Sequence, residues 1–287
     1  MSTVYGSSTV SRKRSTNAEL AELDEAILTA VRSEHPVTLR GVFYRVMSAG
    51  AVEKTEAGYK KIGRQVLKLR RSGRIPYSWI TDGTRYVVRP NTWDDLDEAL
   101  DYTAAAYRRA LWADQPVDVQ VFTEKDAIRG VIEPVTREWD VPLGILRGFV
   151  SESFAWEVAE SLSGWKRTVM YQLGDHDPSG VAAWTDFEKK VRGFRPDADV
   201  VFERIAVTPE QITMLSLPTR PTKKSDSRAA SFKGESVEVD AIPPNTLRAI
   251  VRNAIEQHVD DVALRLTKSV EQSEKDLLRS MIGGGHR

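Results

Sequence analysis

Two aspartates stand one residue apart in Gly174-Asp175-His176-Asp177-Pro178-Ser179-Gly180, directly behind the apolar run 168–173. A third acid, Glu124, follows the alternating valines Val117, Val119 and Val121. Both runs read as strands, and in a parallel α/β sheet polar groups collect at the strands' carboxyl ends. Three carboxylates gathered at one sheet edge repel one another unless a cation sits among them. A hard divalent ion with oxygen ligands suits such a set, Mg²⁺ first and Mn²⁺ as its substitute. A local reading competes, because Asp177-Pro178-Ser179-Gly180 is good turn chemistry and either aspartate can cap the next helix. That explains one aspartate and leaves the other, and Glu124, unexplained. His176 faces away on an extended backbone and is not taken as a ligand.

A second group with chemical potential is Tyr44, four residues after Arg40. On a helix over 38–48 the apolar stripe is centred near Phe43 and Val46, and Tyr44 is expected off that stripe on the side of Arg40. A phenol beside a guanidinium can be a nucleophile whose phenolate is stabilised. It can equally be a boundary tyrosine stacked on an arginine stem, and spacing alone favours that packing role.

The elements that carry Tyr44 form a basic module. Helical periods are expected over 18–32, 38–48 and 55–72, with Gly73 as the stop of the third. In that third helix Lys60, Arg64, Lys68 and Arg71 share the face opposite Tyr59, Ile62, Val66 and Leu69. Two short β-like runs, 77–80 and 85–88, flank a Thr-Asp-Gly turn. Three helices and a hairpin suggest a winged helix-turn-helix, its basic third helix in the major groove of double-stranded DNA. Net charge over the whole chain is zero, yet residues 38–89 hold twelve basic residues against three acidic ones. That asymmetry favours a polyanionic partner, although a basic stripe is also what a solvated helix face looks like.

The elements that carry the carboxylates follow an acidic connecting helix at 93–114. Strands near 117–123, 142–146, 168–173 and 200–207 alternate with helices at 127–139, 154–162 and 181–191, the pattern of a mostly parallel sheet flanked by helices. A Lys/Ser/Arg-rich loop, 218–234, and two helices, 244–259 and 262–281, close the chain. The expected organisation is a flexible basic tail (1–17), a DNA-binding domain (18–92), the connecting helix (93–114) and an α/β metal-binding domain (115–287).

The 287 residues contain no cysteine, so disulfides and thiolate metal sites are excluded and a reducing cytoplasm is the expected setting. Four scattered histidines offer no zinc ligand set. No apolar stretch nears the roughly 18 residues of a membrane span.

An acid ending one strand and Asp-x-Asp after a later one resemble the Toprim metal site of topoisomerases, primases and nucleases. Three segments resemble one branch more closely, the A subunit of topoisomerase VI and the meiotic double-strand-break transesterase. They are the Glu-Lys segment in "FTEKDAIRGVI", "GDHDPSG", and "TLRGVFYR", where an Arg precedes the tyrosine by four. The resemblance covers about residues 38–207. It implies that Tyr44 attacks a DNA phosphodiester, leaving a 5′-phosphotyrosyl link, with Arg40 as its electrostatic aid. Glu124, Asp175 and Asp177 become metal ligands, while Lys125 and Arg147 contact phosphate. It also implies a homodimer in which each tyrosine meets the other subunit's metal site. No phosphate-binding loop of the G-x-x-x-x-G-K-[ST] kind occurs, so ATP-driven strand passage needs a separate ATPase subunit. Two other readings stand beside the transesterase. One is a defence-type Toprim nuclease that hydrolyses DNA with Tyr44 structural, and the other is a non-catalytic DNA-binding module.

Overall fold

The computed structural model describes residues 16–81, 90–221, 232 and 234–283. Three helices open it: α1 (Asn17–Ser33), α2 (Leu39–Ser48) and α3 (Glu56–Arg71). Each starts on a threonine whose hydroxyl accepts an N–H of the first turn: Thr16 from Glu19, Thr38 from Gly41 and Thr55 from Gly58. Gly73, at φ 75°, follows the end of α3, as its position in the sequence predicts. The first arm of the expected hairpin is different. Pro76 leads into a 3₁₀ turn, Tyr77–Trp79, in which Trp79 N–H donates to the Pro76 carbonyl and its ring stacks on His35 at 4.4 Å. The chain then forms β2 (Ile80–Thr81), which pairs in parallel with β1 (Val37–Thr38). The second arm, 85–88, lies outside the described residues.

The acidic connector is helical only over α4 (Leu96–Ala106), capped by Asp95. Beyond it the chain alternates as its periodicity predicts. The elements are β3 (Asp118–Thr123), α5 (Asp126–Glu138), β4 (Leu143–Ile145), α6 (Glu152–Glu160), β5 (Thr168–Leu173), α7 (Pro178–Phe194) and β6 (Val200–Ala206). After α8 (Pro209–Met214) and a 3₁₀ turn, Val239–Ala241, come α9 (Pro244–Glu256) and α10 (Asp261–Gly283).

All neighbours in the sheet are parallel, in the order β4-β3-β5-β6. The two central strands are therefore β3 and β5, and the connections leave them toward opposite edges. Such a reversal opens a crevice at the strands' carboxyl ends, where parallel sheets place ligands. The pleat divides the core in two. Val119, Val121, Val169, Tyr171 and Leu173 face a continuous apolar body that includes Leu23, Ile27 and Leu28 of α1, Val42 and Phe43 of α2, Ile62 of α3 and Val251 of α9. Phe122 and Met170 face the opposite layer, where Ala155 of α6 and Trp184 and Phe187 of α7 pack against them. Every side chain of β5 is buried, as a central strand covered on both faces requires. The N-terminal helices thus share one core with a face of the sheet, which brings α2 over the carboxyl ends of β3 and β5. No helix among the described residues is long and apolar enough to cross a membrane.

Candidate functional site

Glu124 is the first residue beyond β3; its backbone N–H donates to the Leu173 carbonyl at 3.1 Å, which fixes it beside the end of β5. The loop that follows β5 curls around its carboxylate. A methyl group placed on Gly180 would lie 2.8 Å from Glu124 Oε2 and 2.7 Å from the Asp175 carbonyl oxygen. The two glycines of Gly-Asp-His-Asp-Pro-Ser-Gly are therefore spaces for a carboxylate as well as turn residues, since Gly174 also has Glu124 Oε2 within 3.1 Å of its would-be Cβ. Asp177 caps α7, accepting Gly180 N–H at 2.8 Å, and has Arg220 Nη2 at 3.7 Å. Asp175 Oδ1 accepts the Val239 N–H at 2.9 Å and Lys125 Nζ at 3.3 Å.

The charges in this crevice are unevenly matched. Burial and the neighbouring Asp175 and Asp177 carboxylates push the Glu124 carboxyl above its usual range. Its Oε2 is shielded from solvent and has no hydrogen-bond partner. Burial also raises Asp175, against the opposing pull of Lys125 and the Val239 N–H. Beneath the loop lies Arg204 of β6, which sequence reasoning missed. It donates to Gln172 Oε1 at 2.8 Å, to the Gly174 carbonyl at 2.7 Å, and to the Asp175 carbonyl. This guanidinium is spent mainly on backbone oxygens and holds the loop's shape.

Two further acids were also missed. His176 exchanges backbone hydrogen bonds with Val237 at 2.8 and 3.0 Å, and its ring lies against Phe232, 4.9 Å between centroids. That short antiparallel bridge docks residues 236–240 against the aspartate loop, bringing in Glu238 and Asp240. Glu238 is 8% exposed at its side chain and pairs with Arg40, with Lys125 at 3.2 Å and with Arg220 at 3.0 Å. Burial works against the Glu238 carboxylate, but Lys125 and Arg40 outweigh it and hold it below the usual range. Asp240 accepts from the Thr38 hydroxyl at 3.0 Å and pairs with Lys125 at 2.8 Å. The alternation Val237-Glu238-Val239-Asp240 was the available signal, hidden by its place after a long polar loop.

Tyr44 is a correction to the expected helix face. It is 5% exposed and belongs to the shared core, its ring 5.6 Å from that of Phe43. The apolar stripe of α2 is wider than the sequence suggested because the helix is covered by α1 and α3 on one side and by residues 239–241 on another. Burial, then the Glu238 charge, push the phenol up to about 12. Arg40 lies in the same cleft, its guanidinium turned to Glu238 and 5.6 Å from the Tyr59 ring centroid. A hollow of about 290 Å³ is lined by Tyr44, Arg40, Lys54, Tyr59, Arg220 and Glu238. It adjoins a larger one, about 630 Å³, lined by Arg40, Lys125, Asp175, Glu238 and Asp240.

The remaining sequence-predicted residues lie outside this crevice or at its rim. Arg147, at φ 53° beyond β4, is mostly exposed and pairs with Asp126 at 2.5 Å in the first turn of α5. Lys60, Arg64, Lys68 and Arg71 are exposed along α3, Lys60 within 3.5 Å of Glu56.

Among the described residues no three acidic or imidazole groups form a ready-made ligand shell. The donor set nevertheless fits a hard cation, because an unpaired buried carboxylate oxygen shares the space kept open at Gly180 with Asp177 Oδ1 and the Asp175 carbonyl oxygen. No family model, no curated protein and no solved structure matches this chain.

Proposed function

We propose that this chain cleaves DNA phosphodiesters at the crevice between β3 and β5, as a short relative of the topoisomerase VI A subunit and the meiotic transesterase. The observation that carries the reading is the unpaired, buried Glu124 Oε2, raised by Asp175 and Asp177 at the strand-order reversal. Buried charges of one sign persist where a function needs them. Glu124, Asp175 and Asp177 would hold Mg²⁺, which supplies positive charge to a phosphodiester and its departing oxygen. The chain's own contribution is a pair of adjoining hollows, one lined by Asp175, Lys125 and Arg40 and the other by Arg40 and Tyr44.

In the transesterase reading, the Tyr44 phenol oxygen bonds to phosphorus as the bond to the 3′ oxygen breaks. The phenolic proton ends on that oxygen, so one phosphodiester is exchanged for another with no net hydrolysis. Arg40 would leave Glu238 for the phosphate, and the exposed cations of α3 would hold the duplex backbone. The Toprim-type sheet, the winged-helix character of residues 18–92, the homodimer and a separate ATPase subunit belong to this proposal through the resemblance. One observation favours a second reading, hydrolysis by water with Tyr44 as a packing residue. The phenol is nearly inaccessible and, at about 12, holds its proton firmly.

Supercoiled plasmid with Mg²⁺ or Mn²⁺, quenched in denaturing detergent, separates them by comparing the unchanged protein with Tyr44→Phe. The expected result is protein attached to 5′ ends, absent in the variant. Free-ended breaks that survive in Tyr44→Phe would transfer the chemistry to water. Absence of cutting by both, with DNA still bound, would leave a binding module.

A further inference from the structure

Lys125 sits where a second cation would. Its Nζ lies 2.8 Å from Asp240 Oδ2, 3.2 Å from Glu238 Oε2, and 3.3 and 3.4 Å from the two oxygens of Asp175. Four carboxylate oxygens from three residues on two segments thus surround one ammonium. Two of these carboxylates are also held in place by neutral donors. Thr38 Oγ1 donates to Asp240 Oδ1, and Val239 N–H to Asp175 Oδ1. The Asp240 and Glu238 side chains are 1% and 8% exposed, so the shell is largely dry.

An all-oxygen shell with several carboxylates is the environment a hard divalent ion requires. Metal pairs that work on phosphodiesters stand about 3.5–4 Å apart and share carboxylate ligands. Asp175 lies between the two groups, its backbone oxygen beside Glu124 Oε2 at Gly180 and its carboxylate bound to Lys125.

We propose that the Lys125 ammonium is a built-in cation in the place of a second divalent ion, so that the chain takes up one such ion rather than two. The inference rests on the reading of Glu124, Asp175 and Asp177 as a cation site. A lysine built into the chain directly after Glu124 has a fixed position and cannot dissociate, whereas an ion at that position would depend on its concentration. It also neutralises Glu238 and Asp240 while leaving Glu124 unpaired. Lys125 is a positioning residue here, acting through the carboxylates.

The test counts Mn²⁺ bound per full-length chain by paramagnetic resonance of the free ion, without DNA. Lys125→Ala is expected to bind one ion more than the unchanged protein, and Lys125→Ala/Asp240→Asn to lose the extra ion. Lys125→Arg, which keeps the charge, is expected to bind as many as the unchanged protein. An unaltered count in a folded Lys125→Ala overturns the proposal. Should Lys125→Ala unfold in metal-free buffer, recovery of its thermal transition in millimolar Mn²⁺ supports the proposal, and no recovery overturns it. The two readings fail separately. Zero ions in the unchanged protein and one in Lys125→Ala removes the Glu124 site and keeps the built-in cation; one in each keeps the Glu124 site and removes the built-in cation.

Discussion

On one side of Asp175, Glu238 pairs with Lys125, Arg40 and Arg220, and Asp240 with Lys125; on the other, Glu124 feels the Asp175 and Asp177 charges with one buried oxygen unpaired. The two groups have similar burial and residue types, yet Glu238 is pulled below the carboxylate range while Glu124 is pushed above it. Burial raises both, so the direction is decided by the neighbouring charge. The difference shows where the fold has completed its own electrostatics and where it has left them open. A structural ion-pair network looks like the first group, and a site awaiting a cation looks like the second.

The largest expected effect comes from removing the open charge. Glu124→Gln and Asp175→Asn are each expected to abolish Mg²⁺-dependent cutting; undiminished cleavage by both would end the comparison. Glu124→Gln also has a signature in stability. The folded chain keeps Glu124 protonated to higher pH than the unfolded chain does, so it binds more protons in that window. Its stability therefore falls as pH rises from about 4.3 through the raised value. The variant lacks this fall. Its melting temperature should exceed that of the unchanged protein at neutral pH and approach it in acid, and Mg²⁺ should raise only the latter's. A variant that melts lower at pH 7 would mean that Glu124 is already paired.

A smaller effect is expected from filling the space beside that oxygen. Gly180→Ala puts a methyl 2.8 Å from Glu124 Oε2 and 2.7 Å from a backbone oxygen, and overpacking of this kind costs about 1–3 kcal/mol. Gly193, near the other end of α7, has nothing within 4 Å of an added methyl. Alanine there should stabilise by up to about 1 kcal/mol. Denaturant melts of the two variants read the difference directly, and equal effects would show that the glycine at 180 is not reserved for the carboxylate.

The smallest change should come from cations that belong to neither group. Lys60→Ala/Arg64→Ala on the exposed face of α3 is expected to weaken duplex binding about tenfold and lower its salt slope by about two. Fluorescence anisotropy over a salt series measures both. Unchanged affinity would remove α3 from the DNA surface, while the Mn²⁺ count should stay as in the unchanged protein.

Much of the fold was legible because its signals are local. Alternating valines and the period of the helices each act within a few residues, so βα alternation and the helix positions followed from the chain itself, while the capping threonines Thr16, Thr38 and Thr55 did not. The same holds for the three acids, which end strands whose boundaries the pattern marks. Other features depend on residues far apart in sequence. The Tyr77–Trp79 turn gave way to a parallel pairing of Ile80–Thr81 with Val37–Thr38, which no short-range pattern announces. Tyr44 was expected at a boundary, but its burial depends on α1, α3 and residues 239–241 converging on α2.

The sequence by itself determined which carboxylates stand at strand ends, because a strand's length and the turn after it are fixed by neighbouring residues. Tertiary structure alone decided their charge state and their company. Lys125 meets Glu238 113 residues away, and Arg204 reaches the Gly174 and Asp175 carbonyls from the next strand. Electrostatic free energy depends on distance through space and on exclusion of water, and neither quantity is local to the chain.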